Sequence, residues 1–106
     1  MPIFILISKH SPENCPEFNA KARKAMMNYM DEADKLMKKH KVKTIGSWDV
    51  PPEHLSIIVY EASSYEAFQN FGMEPTVGAM SEFTTHEIKA TVRTTEEHAK
   101  MLKQMR

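Results

Sequence analysis

The sequence predicts an α+β sandwich, in which helices cover one face of a four-stranded antiparallel sheet. An apolar strand is followed by a long amphipathic segment, then by two strands joined by a short turn, a second helical segment and a fourth strand. A right-handed crossover followed by a hairpin is typical of the ferredoxin-like βαββαβ fold, here with an extra C-terminal helix at about 95–104. We expect a single domain over residues 1–106.

The first strand and the long helix frame the N-terminal half. Residues 3–7 read IFILI, and an uninterrupted apolar strand of this kind needs cover on both faces. Ser11-Pro12 and Cys15-Pro16 are two successive helix-start signals. Apolar residues at intervals of three and four then predict an amphipathic helix from about residue 16 to residue 40.

The second half is predicted from turns and capping signals. Residues 42–50 form a strand in which simple alternation places Thr44, Gly46 and Trp48 on one face, and Pro51-Pro52-Glu53 turns the chain into a β-branched strand at 55–60. Capping boxes open the two later helices, and a fourth strand lies between them; these features are Ser63 with Glu66, residues 84–92, and Thr94 with Glu97.

Composition excludes several classes of function. Lys plus Arg and Asp plus Glu both number 14, so the chain has no general attraction for nucleic acid or an anionic membrane. One cysteine permits no intrachain disulfide, and no leader-like or membrane-spanning segment is evident. We therefore expect a cytoplasmic protein with neither nucleic-acid nor membrane partners.

The predicted topology gathers reactive side chains at one edge of the sheet. The first two strands end at the edge where the third and fourth begin, and the long helix starts there. His10 and Cys15 lie at that junction, and four further residues are expected beside them: Trp48, Asp49, His54 and His86.

Two kinds of site are compatible with these residues. We expect a ligand pocket between sheet and helices, lined by Tyr29, Trp48, Asp49, His54 and His86. His10 is a candidate general acid or base, and Cys15 a candidate reactive thiol at a helix start. The structural alternatives are a turn histidine and a small buried side chain.

A metal centre is the other possibility. The sequence contains no recognised metal-binding motif, so we predict no cofactor. The alternative is zinc or iron held by nitrogen and sulfur ligands, which would come from His10, Cys15, His54 and His86.

The strand order over residues 3–92, the apolar first strand ending at His10, and Trp48 on the second strand resemble the dimeric α/β-barrel superfamily. Within it, the chain is similar to small uncharacterised prokaryotic proteins of stress-responsive or monooxygenase-like type. The resemblance implies a homodimer in which two sheets pack face to face. Such packing would cover the second face of the first strand.

These observations favour a homodimeric protein that binds a small molecule between sheet and helices. One alternative is a cofactor-independent monooxygenase or isomerase-like enzyme that uses His10. The other is a metal-dependent enzyme with His and Cys ligands, and the sequence leaves open whether the protein is an enzyme.

Overall fold

The computed structural model describes residues 1–105 and confirms the predicted α+β, ferredoxin-like fold. The strands are β1 (Ile3–Lys9), β2 (Val42–Val50), β3 (Leu55–Ala62) and β4 (Thr85–Val92). The helices are α1 (Ala20–His40), α2 (Tyr65–Gly72), the single-turn α3 (Pro75–Gly78) and α4 (Thr95–Gln104). Short 3-10 turns occupy Pro12–Asn14, Pro51–Glu53 and Ala79–Glu82.

The sheet has the order β2-β3-β1-β4, with every neighbouring pair antiparallel. The apolar strand β1 is therefore central, as its composition predicts. Ile5 lies opposite Val59 on β3, and Lys9 lies opposite Leu55. This register brings the residue after β1 beside the residue before β3.

The core lies between the sheet and the helices. Phe4 is 1% exposed, and its ring stacks on Phe68 of α2 with the centroids 4.8 Å apart. The other buried residues of this cluster come from α1, α2, β2 and β3: Leu36, Phe71, Val42, Tyr60 and Ala62. Because side chains alternate along a strand, His10 extends the helix-facing row of Phe4 and Leu6.

A β-bulge in β2 reverses the face on which its later residues lie. Thr44 opposes Tyr60 and Gly46 opposes Val59, so Ile45 is the extra residue. Thr44 consequently faces α1, where its hydroxyl donates to Met37 Sδ at 3.2 Å. Gly46 and Trp48 face the opposite side. The prediction that Thr44 and Trp48 share a face is wrong, because simple alternation cannot pass through a bulge.

Trp48 lies on the face of the sheet opposite the core and α1, and it is 57% exposed. Its indole lies over Gly46, where a methyl group would overlap the ring. A glycine is thus needed at this position for the indole to lie flat on the strand. The indole of Trp48 therefore fills the space that the missing side chain of Gly46 leaves, and that space is closed to a ligand.

The long helix starts four residues later than predicted. A tight turn occupies the residues after Cys15, whose carbonyl accepts from the backbone N–H groups of Phe18 and Asn19. The N-cap is Asn19, whose side chain accepts from the Ala22 N–H at 3.0 Å and donates to the Glu13 carbonyl at 3.1 Å. Asn19 therefore ties the start of α1 to the segment that carries Cys15.

The two later helices are capped by hydroxyl side chains. Ser64, and not the predicted Ser63, caps α2 by accepting from the Ala67 N–H. Thr94 caps α4 as predicted, accepting from the Glu97 N–H at 3.1 Å. Across residues 1–105, none of the helices combines the length and apolar character that crossing a membrane requires.

Asn19→Ala is expected to lower the free energy of unfolding by about 1 kcal/mol, because the Ala22 N–H loses its acceptor. Urea denaturation followed by circular dichroism measures this loss. Asn28→Ala, at an exposed position inside α1, is the matched control, and helix propensity predicts an unchanged or slightly higher stability. Equal destabilisation by both substitutions would contradict the capping role.

Candidate functional site

Two histidines and the cysteine meet where β1 ends and β3 begins. The His10 N–H donates to the His54 carbonyl at 3.1 Å. Their imidazoles also meet, with His10 Nε2 3.2 Å from His54 Nδ1. Cys15 completes the group, because its Sγ and one ring nitrogen of each histidine all lie within 4.8 Å of one another. We call His10, Cys15 and His54 the His-Cys cluster.

His54 occupies an unusual backbone conformation. Its φ of 51° and ψ of 48° are left-handed, and its N–H donates to the Pro51 carbonyl at 3.1 Å. A left-handed residue other than glycine costs about 1–2 kcal/mol. The hairpin requires this conformation in order to return the chain after the Pro51–Glu53 turn. It also sets the direction from which the His54 imidazole meets His10.

Cys15 is held at the end of the Pro12–Asn14 turn. Its N–H donates to the Pro12 carbonyl at 3.3 Å, and its side chain is buried, with the residue only 7% exposed. Pro16 and Arg23 stabilise the following turn, since Arg23 Nε donates to the Pro16 carbonyl at 2.9 Å. The thiol is thus fixed beneath the start of α1, facing the histidines.

The electrostatics of the cluster favour neutral imidazole at His10. Partial burial lowers the pKa of His10 below its ordinary value, and the neighbouring charge of His54 lowers it further. Burial disfavours the charged form of a histidine, and a second imidazolium at this distance repels it. His10 therefore has a lone pair available at neutral pH, on one ring nitrogen or the other.

A cavity of about 290 Å³ opens beside the cluster. Asp49 lies in its wall, and its carboxylate accepts from the Ser56 hydroxyl at 2.7 Å. Met26 of α1 and Pro16 contribute apolar groups to the lining. The full lining is His10, Cys15, Pro16, Glu17, Met26, Asp49, Pro51, His54, Leu55 and Ser56. The cavity therefore combines polar groups with an apolar surface.

Three of the residues expected in the pocket lie elsewhere. The Tyr29 hydroxyl meets the Tyr60 hydroxyl at 3.3 Å in the core, where burial raises the pKa of Tyr60. Trp48 is on the open face of the sheet, beyond the bulge. His86 lines a separate depression of about 400 Å³ between the sheet and α2, and its Nε2 lies 2.7 Å from the Thr84 hydroxyl.

These displacements have simple causes. Tyr29 lies three residues, nearly one helical turn, beyond the cavity-lining Met26 along α1. His86 opposes Ser8 on β1. Strand β1 therefore lies between His86 and the β2–β3 hairpin that carries His54. Burial lowers the pKa of His86 as well. Of the seven predicted site residues, the structure brings together His10, Cys15, Asp49 and His54.

The residues not foreseen in the cavity wall follow from the same periodicities. Met26 lies four residues after the buried Ala22 on the inward face of α1. Ser56 lies four residues before the buried Tyr60, and therefore on the same, helix-facing side of β3. Knowing which strand face points toward the helices would have identified both.

Comparison with known proteins supports the fold. No family model matches the sequence, and no curated protein matches it significantly. Among solved structures, the chain is similar to an uncharacterised NIPSNAP domain protein from Burkholderia xenovorans. The match has a TM-score of 0.57 at 13% identity and covers 90% of this chain and 96% of that one. At this identity the likeness establishes a shared fold.

His54→Asn is expected to raise the pKa of His10 in metal-free protein, because it removes the neighbouring positive charge. Asparagine tolerates the left-handed backbone of residue 54. The rise is partial, because burial is the larger cause of the depressed pKa. Titration of the imidazole resonances by NMR measures the change.

His98→Asn is the control, because His98 lies on α4 and is exposed. An unchanged His10 titration in His54→Asn would mean that the two imidazoles do not interact.

Proposed function

We propose that this protein binds a small, partly apolar molecule in the cavity beside the His-Cys cluster. The observation that carries this proposal is the convergence of His10, Cys15, Asp49 and His54, from separate segments, on the wall of one cavity. Binding sites typically combine an apolar lining with a few polar groups that orient the ligand. Met26 and Pro16 supply the former and the cluster the latter.

The size of the cavity limits its ligand. At about 290 Å³ it lies near the lower end of the range seen for small-molecule sites. The ligand is accordingly a compact molecule with a hydrogen-bonding group directed toward the imidazoles. The Asp49 carboxylate, which the Ser56 hydroxyl holds in place, favours a ligand that can also donate a hydrogen bond.

A second candidate function is enzymatic, as a cofactor-independent monooxygenase or isomerase-like protein. The lowered pKa of His10 favours it, since a neutral imidazole beside a cavity can accept a proton from a bound molecule. His54, in hydrogen-bond contact with His10, would orient the ring. An enzyme of this kind loses turnover but retains ligand binding when His10 is replaced by asparagine.

We also propose that two copies associate through the open faces of their sheets. Opposite the helices, β1 and β3 present an aliphatic surface, and Trp48 and Ile45 extend it as exposed side chains of β2. The aliphatic residues on this face are Ile3, Ile5, Ile7, Ile57 and Val59. Burial of such a surface against an identical one is favourable, and a two-fold arrangement buries the same apolar face of both copies. We also propose a cytoplasmic location, because a chain with a single cysteine forms no intrachain disulfide.

Binding to the cavity is tested with a library of small organic acids, alcohols and amides, observed by NMR on isotope-labelled protein. We expect the hits to shift the amide resonances of the residues that line the cavity. Met26→Trp should abolish these shifts by filling the cavity. Met27→Trp, at the adjacent position that is 51% exposed, should preserve them. Shifts confined to other surfaces would refute the proposed pocket.

Ile57→Glu is expected to convert a dimer into a monomer, because it buries a carboxylate in the centre of the apolar interface. Light scattering after size-exclusion chromatography should give twice the 12.2 kDa chain mass for the unmodified protein. Met27→Glu introduces the same charge on the exposed side of α1 and should leave the dimer intact. A monomeric unmodified protein at micromolar concentration would exclude this association.

A further inference from the structure

We propose that the His-Cys cluster binds a Zn²⁺ ion through His10 Nε2, His54 Nδ1 and Cys15 Sγ. This inference deepens the proposed function, on which it rests, by naming the group to which the cavity's ligand would bind. The set comprises two nitrogens and one sulfur, which are the donors that zinc prefers in proteins. It omits His86, whose side chain lines the separate depression.

The distance between the two imidazole nitrogens suits a shared metal ion. Two nitrogens bound to zinc with tetrahedral geometry lie about 3.3 Å apart, given zinc–nitrogen distances of about 2.0–2.1 Å. His10 Nε2 and His54 Nδ1 are 3.2 Å apart. The backbone hydrogen bond from His10 to His54 holds the residues in this relation, so neither strand has to move.

The sulfur needs a small adjustment. A thiolate and an imidazole on one tetrahedral zinc ion lie about 3.6 Å apart, given a zinc–sulfur distance of about 2.3 Å. In the structure Cys15 Sγ and one ring nitrogen of each histidine lie within 4.8 Å of one another. Rotation of the Cys15 side chain would bring the sulfur closer to the two nitrogens and complete the set.

Proton balance is straightforward. In the metal-free cluster, one imidazole nitrogen donates a hydrogen bond to the other. Binding requires both lone pairs, so His10 takes the Nδ1–H tautomer and His54 the Nε2–H tautomer. The Cys15 thiol loses its proton to solvent, and binding releases one proton for each zinc ion.

Three protein ligands leave one position of a tetrahedral zinc ion open. Because the cluster forms part of the cavity wall, that position faces the cavity. Two imidazoles and one thiolate leave one net positive charge on the ion, so water or a small molecule with an anionic or carbonyl oxygen completes the coordination. Asp49 and Glu17 line the same cavity but lie outside the three-atom cluster.

Zinc binding is tested on untagged, reduced protein that has been stripped with a chelator. Titration with Zn²⁺ in competition with a chromogenic chelator should give one ion per chain. Cys15→Ser, His10→Asn and His54→Asn should each weaken binding by at least about tenfold, since even outer-shell changes at metal sites cost this much. His86→Asn and His98→Asn should bind as the unmodified protein does.

Two further readouts identify the ligands directly. Co²⁺ in place of Zn²⁺ should give a thiolate-to-cobalt charge-transfer band that is absent in Cys15→Ser. One equivalent of Zn²⁺ should slow alkylation of Cys15, and chelator should restore the original rate. Amide spectra of each variant establish that it is folded. No uptake of metal, or uptake that all three cluster substitutions leave unchanged, would overturn the proposal.

The outcomes separate this inference from the proposed function. Repeating the organic-molecule screen in the presence of chelator tests the cavity alone. If organic molecules shift the amide resonances of the cavity-lining residues in the presence of chelator, and the protein takes up no zinc, the metal site is overturned and the pocket is retained. Zinc uptake with no organic ligand under either condition retains the metal site and counts against the pocket.

Discussion

The register between β1 and β3 is the constraint on which the candidate site depends. Lys9 lies opposite Leu55, so the next residues on each strand, His10 and His54, are paired by a backbone hydrogen bond. A shift of one residue would turn the His54 side chain to the other face of the sheet. The same register sets the aliphatic rows of β1 against those of β3. One set of backbone contacts therefore determines both the core and the site.

The bulge at Ile45 changes which face of the sheet the residues of β2 lie on. Before it, Val42 and Thr44 face the helices and contribute to the core side. After it, Trp48 joins the open face, whereas Asp49 turns back toward the cavity. The extra residue is thus what puts a carboxylate beside the histidines and an indole on the uncovered surface. The proposed association through that surface and the proposed ligand binding in the cavity would use opposite faces of the same strand.

The His-Cys cluster combines features that are costly for a purely structural junction. Burial and then the neighbouring charge of His54 lower the pKa of His10, and His54 is held in a left-handed conformation. Strain of this kind persists where the surrounding structure enforces it, and it is frequent at functional sites. A bound ion or ligand that contacts both imidazoles would offset part of the free energy that this arrangement costs. The cluster is consequently where both the proposed ligand site and the proposed metal site lie.

The sequence alone determined the order and type of the elements, because hydrophobic periodicity, proline positions and capping residues are local signals. It also indicated that His10, Cys15, Asp49 and His54 approach one edge, since that follows from the direction of the strands. Only the tertiary structure decided on which face of the sheet, and how near the cavity, each candidate residue lies. The bulge moved Trp48 away, the position along α1 placed Tyr29 in the core, and the lateral strand order separated His86. Each of these depends on pairing between distant segments, which a linear pattern does not encode.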